Sequence, residues 1–139
     1  MRAEGLHATL VFLGDVAVGR LEALQLAAQE VSAPAFSLVL DEAHYWGHNH
    51  IAFAAPGHVA PALLELVHKL EQSLLRHHFT FDERGFKAHV TLLRKARWSD
   101  APLPLMPVVV WQVRDFVLVQ SLGDEQGSRY KVLARFPLG

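Results

Sequence analysis

Two four-residue stretches, His7-Ala8-Thr9-Leu10 and His89-Val90-Thr91-Leu92, share the pattern His-x-Thr-Leu at a separation of 82 positions. Each lies in an apolar run, HATLVFLG at 7–14 and HVTLLRKA at 89–96. From Leu6 to Leu13 the residues alternate, with Leu6, Ala8, Leu10 and Phe12 on one face and His7, Thr9 and Val11 on the other. That is the period of a strand, closed by Gly14-Asp15. His89 to Leu93 reads as a second short β segment. Residues i and i+2 of a strand share a face, so each motif sets an imidazole beside a hydroxyl. A histidine or threonine on one half-buried strand is ordinarily a packing or hydrogen-bonding residue. Recurrence of the pair on two strands shifts that balance, because inward polar groups are costly unless they are satisfied or used.

The remaining chain supplies a scaffold for such a pair. Leu21, Leu24, Ala28 and Val31 recur at helical spacing up to Pro34. Leu63, Val67, Leu70 and Leu74 form a longer apolar stripe, with His77 and His78 at its C-terminal end, where the helix dipole favours positive charge. Short strands are expected at Phe36–Leu40, Ile51–Ala54, Val108–Val113 and Phe116–Gln120, with Asp41–His50 as a connection. Gly123 to Gly127 supplies a hairpin turn before a last strand, Arg129–Phe136. Two helices among about seven strands, with no βαβ alternation and no Gly-rich phosphate loop, predict an α+β fold with antiparallel sheets.

Composition narrows the class. The chain has 139 residues, 51% of them hydrophobic and 19% charged, which suits one folded domain spanning 1–139. No apolar run is long enough to cross a bilayer, and the N-terminus lacks a signal-peptide pattern, so no membrane partner is expected. The lack of cysteine excludes disulfides and thiolate chemistry and fits a cytoplasmic location. A net charge of −1 argues against a protein that coats nucleic acid non-specifically. Five of the 13 basic residues, Arg84, Lys87, Arg94, Lys95 and Arg97, nevertheless fall within 14 positions. A solvated edge accounts for that cluster as cheaply as a phosphate site does.

If the two motif strands face each other across a cleft, the site holds two imidazoles and two hydroxyl donors. With an unperturbed histidine pKa of about 6.5, one ring can be neutral and the other protonated near neutral pH. That is the equipment for a general base and a general acid on opposite sides of a phosphorus atom. Threonine hydroxyls can donate to non-bridging oxygens as charge builds in the transition state. A cyclic phosphodiester suits such a site, because its leaving oxygen is tethered and its ring strained. No metal and no cofactor is then needed.

These motifs closely resemble the paired motifs of the two-histidine (2H) phosphoesterases, and most of all the bacterial RNA 2′,3′-cyclic phosphodiesterases, also called 2′-5′ RNA ligases. The resemblance runs through both helices and the FSLVL strand into FVLVQSLGDEQGSRYKVLARFPL at 116–138. It implies two antiparallel-sheet lobes with flanking helices around a central cleft that carries both motifs. It implies His7 and His89 as catalytic residues, Thr9 and Thr91 as phosphate-binding hydroxyls, and Arg94 as a cationic contact to the phosphate or adjacent nucleotide. It further implies His89 as the base that activates water and His7 as the acid that expels the 3′ oxygen, leaving a 2′-phosphate. The residues alone leave those two roles interchangeable. The implied substrates are RNA 3′ ends or cyclic nucleotides, with a reversible 2′-5′ RNA ligase activity beside hydrolysis. Another small cyclic nucleotide-derived substrate, or a catalytically weak nucleotide-binding module, are the competing readings.

Two departures from the family stand out. Its members usually carry a further strand and helix before the first motif, whereas His7 is almost at the N-terminus here. Lys87-Ala88 precedes His89 where the family often has proline. With little chain before it, LHATLVFL at 6–13 is expected either to present an uncovered apolar edge that invites self-association or to be covered by another strand of the same chain, such as one of the C-terminal hairpin. His44, His48 and His50 lie close together but match no zinc spacing, and a solvated loop accounts for them better than a metal site. In the family picture Tyr45 and Trp46 of that connection lie near the cleft, in reach of a base to stack on, although packing is the simpler role for Trp46.

Overall fold

A computed structural model describes residues 8–46, 51–82, 90–93, 108–124 and 127–139. Among them are two α-helices and seven strands. Helix α1 spans Leu21–Gln29 and follows one 3₁₀ turn at Val18–Arg20, and helix α2 spans Pro61–Arg76. The strands are β1 (Phe36–Leu40), β2 (Glu42–Trp46), β3 (Ile51–Ala55), β4 (Val90–Leu93), β5 (Val109–Val113), β6 (Asp115–Asp124) and β7 (Gly127–Pro137). Among the described residues all four pairings are antiparallel, in three sheets: β1–β5, β2–β3–β4 and β6–β7. The α+β class expected from the pattern holds. No helix among the described residues is long and apolar enough to cross a membrane.

Helix α2 starts where Pro61, with its fixed φ and missing N–H, is best tolerated. Its buried residues are the predicted stripe Leu63, Val67, Leu70 and Leu74, joined by Leu66 and Ser73. The helix closes in a Schellman motif: Phe79 N–H donates to the Leu74 carbonyl (2.9 Å) and His78 N–H to that of Leu75 (3.1 Å). His78 takes the left-handed position, φ 64°, that glycine usually fills. Arg20 compensates at this end, its guanidinium donating to the carbonyls of His77 (2.7 Å) and His78 (3.1 Å) and lying 4.0 Å over the Phe79 ring.

The helices pack through small residues. Ala27 and Ala28 of α1 are buried, and the fully buried Ser73 donates its hydroxyl to the Ala27 carbonyl at 2.6 Å. That carbonyl is in the last turn of α1, where no intrahelical partner is available. Glu30 sits just beyond, 2.9 Å from His77 Nε2 and 3.7 Å from Arg76. The hydrogen bond from His77, then the charges of His77 and Arg76, hold its carboxyl below the usual range against the opposing effect of burial.

Two expectations need correction. Residues 9–13 form no strand, and only Ala8 makes a β bridge. Leu10 and Val11 both turn inward while Phe12 is 62% exposed, so the alternation breaks at a bend on Leu10. The physical reason is that this segment threads between three apolar clusters and contacts all of them. Its carbonyl at Phe12 accepts from Asp82 N–H (2.8 Å), so the described part of the supposed open edge is inward-packed and partly paired within the chain. The second correction concerns Asp41–His50, read as a plain connection. Residues 42–46 are a strand, paired from Glu42↔Ala55 to Trp46↔Ile51. His48 and His50 lie outside the described residues.

Candidate active site

Of the five residues singled out by the repeat, Thr9 and Thr91 fall within the described residues, whereas His7, His89 and Arg94 lie outside them. The remainder of the basic cluster at 84–97 lies outside as well. What the structure supplies is the ground on which each motif stands.

Residues 90–92 of the second motif lie on β4, at one end of the order β2–β3–β4 among the described residues. Val90, the middle residue of the motif, stands opposite Ala54, and Thr91 stands opposite Phe53. A register shift follows: Leu93 pairs with Ala52, leaving Leu92 as the extra residue of a bulge. Bulges of this kind bend a strand and re-aim its side chains, and they are common beside active sites.

The first motif meets the same ground from the other side. Ala54 is 1% exposed and belongs to a cluster with Leu38, Leu40, Leu63 and Val67. Ala8, the middle residue of the first motif, packs against this cluster, followed by Leu10 and Val11. Thr9, between Ala8 and Leu10, is exposed. The central residues of both motifs therefore converge on the cluster around Ala54, one by side-chain packing and one by strand register. Helix α2 contributes Leu63 and Val67 to that cluster, which ties the site to the longest helix described.

Across the sheet, Thr91 continues a row through Phe53 to His44, which is opposite Phe53 on β2. The His44 ring stacks on Phe53, with centroids 5.2 Å apart and planes at 21°. Its Nε2–H donates to Glu42 Oε1 at 2.8 Å. Sequence reading did not find this pair, because Glu-Ala-His-Tyr-Trp has no clear apolar alternation; the one available signal is the β propensity of Tyr45 and Trp46. A separate recess of about 130 Å³ lies between Leu13, Asp15, Arg20, His78 and Phe79. It borders the cap of α2 and includes none of the five residues.

Comparison with known proteins places the chain in a family. The 2′-5′ RNA ligase superfamily matches residues 1–125. An RNA 2′,3′-cyclic phosphodiesterase of Escherichia coli (strain K12) is 33% identical over 138 residues, covering 98% of this chain and 77% of that protein. One from Geobacillus stearothermophilus is 31% identical, covering 97% of this chain and 46% of that protein. The chain thus spans about three quarters of one relative and under half of the other. The crystal structure of E. coli LigT complexed with 3′-AMP is similar at a TM-score of 0.87 and 30% identity, over 99% of this chain and 79% of that one. The chain belongs to the 2′-5′ RNA ligase superfamily.

Proposed function

We propose that the protein hydrolyses 2′,3′-cyclic phosphate ends of RNA or nucleotides with two histidines and without a metal ion. The observation that carries this reading is the convergence of Ala8 and the Val90 register position on the cluster around Ala54. This reading sets His7 beside Thr9 and His89 beside Thr91, because residues i and i+2 of an extended segment share a face. The names of the relatives at 31–33% identity support the same substrate class.

In this mechanism His89 takes a proton from water as the water oxygen bonds to phosphorus. The P–O3′ bond breaks, and His7 protonates the departing 3′ oxygen. The product carries a 2′-phosphate and a free 3′-hydroxyl. Thr9 and Thr91 donate to the non-bridging oxygens, and Arg94 supplies a charge-assisted contact. If a 5′-hydroxyl of another strand replaces water, the same steps make a 2′-5′ linkage, which gives the ligase reaction and its reverse. The whole of 1–139 acts as one domain in this reading.

Incubation of an oligonucleotide bearing a 2′,3′-cyclic end, and separately of a cyclic mononucleotide, tests it. Phosphorus NMR is expected to show conversion of both to 2′-monophosphates. A nucleotide that binds but is never opened would support a binding module instead, and exclusive formation of 3′-phosphate would reverse the assigned leaving group.

A further inference from the structure

We infer that His44, seated on Phe53 and held by Glu42, is the surface against which the base of the bound nucleotide stacks. The inference rests on the site proposed above and extends it from the phosphate to the base. Three observations carry it. The first is register: His44, Phe53 and Thr91 stand directly opposite one another on three adjacent strands. Opposed residues of antiparallel strands share a face, so His44 and Phe53 lie on the side away from Ala54 and the helix-packed cluster, and Thr91 holds the next register position of that row. Two inter-strand spacings separate Thr91 from His44, about 10 Å, which is the span of a nucleotide from its phosphate to the far edge of its base.

The second observation is exposure. Phe53 is 7% exposed, while the His44 side chain above it is 46% exposed. One face of the imidazole covers Phe53 and much of the remainder is open to solvent. A planar π surface at the outer end of a phosphate-directed row is suited to a purine or pyrimidine.

The third observation is how the ring is held. Glu42 Oε1 accepts from Nε2 at 2.8 Å, which fixes the ring orientation before any ligand arrives. The Glu42 carboxylate also borders Gly57: a Cβ there would lie 2.6 Å from Glu42 Oε2, so glycine leaves room for it. The Gly57 N–H is anchored to Asp41 Oδ1 at 2.7 Å, which keeps the two loops together. Glu42 is thus a positioning residue and His44 the contact.

The test compares adenosine 2′,3′-cyclic phosphate with ribose 2′,3′-cyclic phosphate, which lacks the base. His44→Ala is expected to raise KM for the adenosine substrate about tenfold or more relative to its effect on the abasic one. His44→Phe, which keeps a ring over Phe53, is expected to restore most of that difference, and Glu42→Gln to lie between. Equal losses on both substrates, or no difference between Ala and Phe at position 44, would overturn the inference. A second readout is independent of turnover: titrating the wild-type protein with adenosine 2′-monophosphate should shift the His44 ring protons upfield by the base's ring current. If the protein opens neither substrate, the hydrolase reading fails while this shift still decides the stacking site. If it opens both and the His44 protons do not move, the stacking site alone fails.

Discussion

Replacing Ala54 by leucine probes the claim that both motifs rest on one cluster. Ala54 is 1% exposed, stands opposite Val90 in register and shares its cluster with the packing partners of Ala8. Three added carbons have no room to enter there without moving neighbours, and such overpacking destabilises by about 1–3 kcal/mol. For a domain of this size that lowers Tm by about 3–12 °C. The neighbours of Ala54 include Leu38, Leu40, Leu63 and Val67, with Ala8 of the first motif packed against them and Val90 of the second opposite in register. A misplacement of about 1 Å between reacting groups can reduce turnover about 10²-fold. Leu74→Ala is the comparison, because Leu74 is equally buried in a different cluster, with Leu24, Ala27 and Phe79. Its loss should destabilise by about 2–5 kcal/mol through a cavity, with kcat much less affected in the folded fraction. Thermal melts by circular dichroism, followed by kcat measured well below both transitions, separate the two effects. Should Ala54→Leu keep kcat as well as Leu74→Ala does, the shared-cluster geometry would be wrong.

Three further outcomes follow from the structure. Ser73→Ala leaves the Ala27 carbonyl buried without its 2.6 Å donor, and chemical denaturation should show a loss of about 1–3 kcal/mol. The lowered carboxyl of Glu30 adds stability that is present in full above the ordinary value of 4.5 and is lost as pH falls through that value towards the lower folded one. Glu30→Gln should therefore flatten the acid limb of a Tm-against-pH curve below about pH 4.5, and an unchanged limb would contradict the Glu30–His77 contact. Turnover should also persist in excess chelator, and a loss that zinc or manganese restores would require a metal at the site.

Much of the scaffold is legible in local sequence because local periodicity dictates it. The stripe Leu63, Val67, Leu70 and Leu74 defines α2, and FSLVL defines β1 to the residue. The histidines at 77 and 78 mark where α2 ends. The first motif is different, since its conformation is set by what surrounds it. Leu10 and Val11 both face inward because apolar clusters lie on more than one side, and alternation along one segment carries no information about that. Strand β2 escapes notice for a related reason, since its pairing with β3 is decided across the sheet and not within Glu42–Trp46. The repeat itself singles out Thr9 and Thr91 as candidate positions, but the His44–Phe53–Thr91 row emerges only from strand register.

The central claim is that His7 and His89 act together on one phosphorus atom. The most direct measurement is steady-state opening of a 2′,3′-cyclic phosphate by His7→Ala, His89→Ala and the double variant, each confirmed as folded by its melt. Acid and base roles of this kind contribute about 10²- to 10⁴-fold each, and residues that act as a unit are far from additive. Each single variant should therefore lose at least about 10²-fold in kcat, with the double variant little worse than either. A folded single variant that keeps wild-type turnover would remove that histidine from the mechanism and contradict the account.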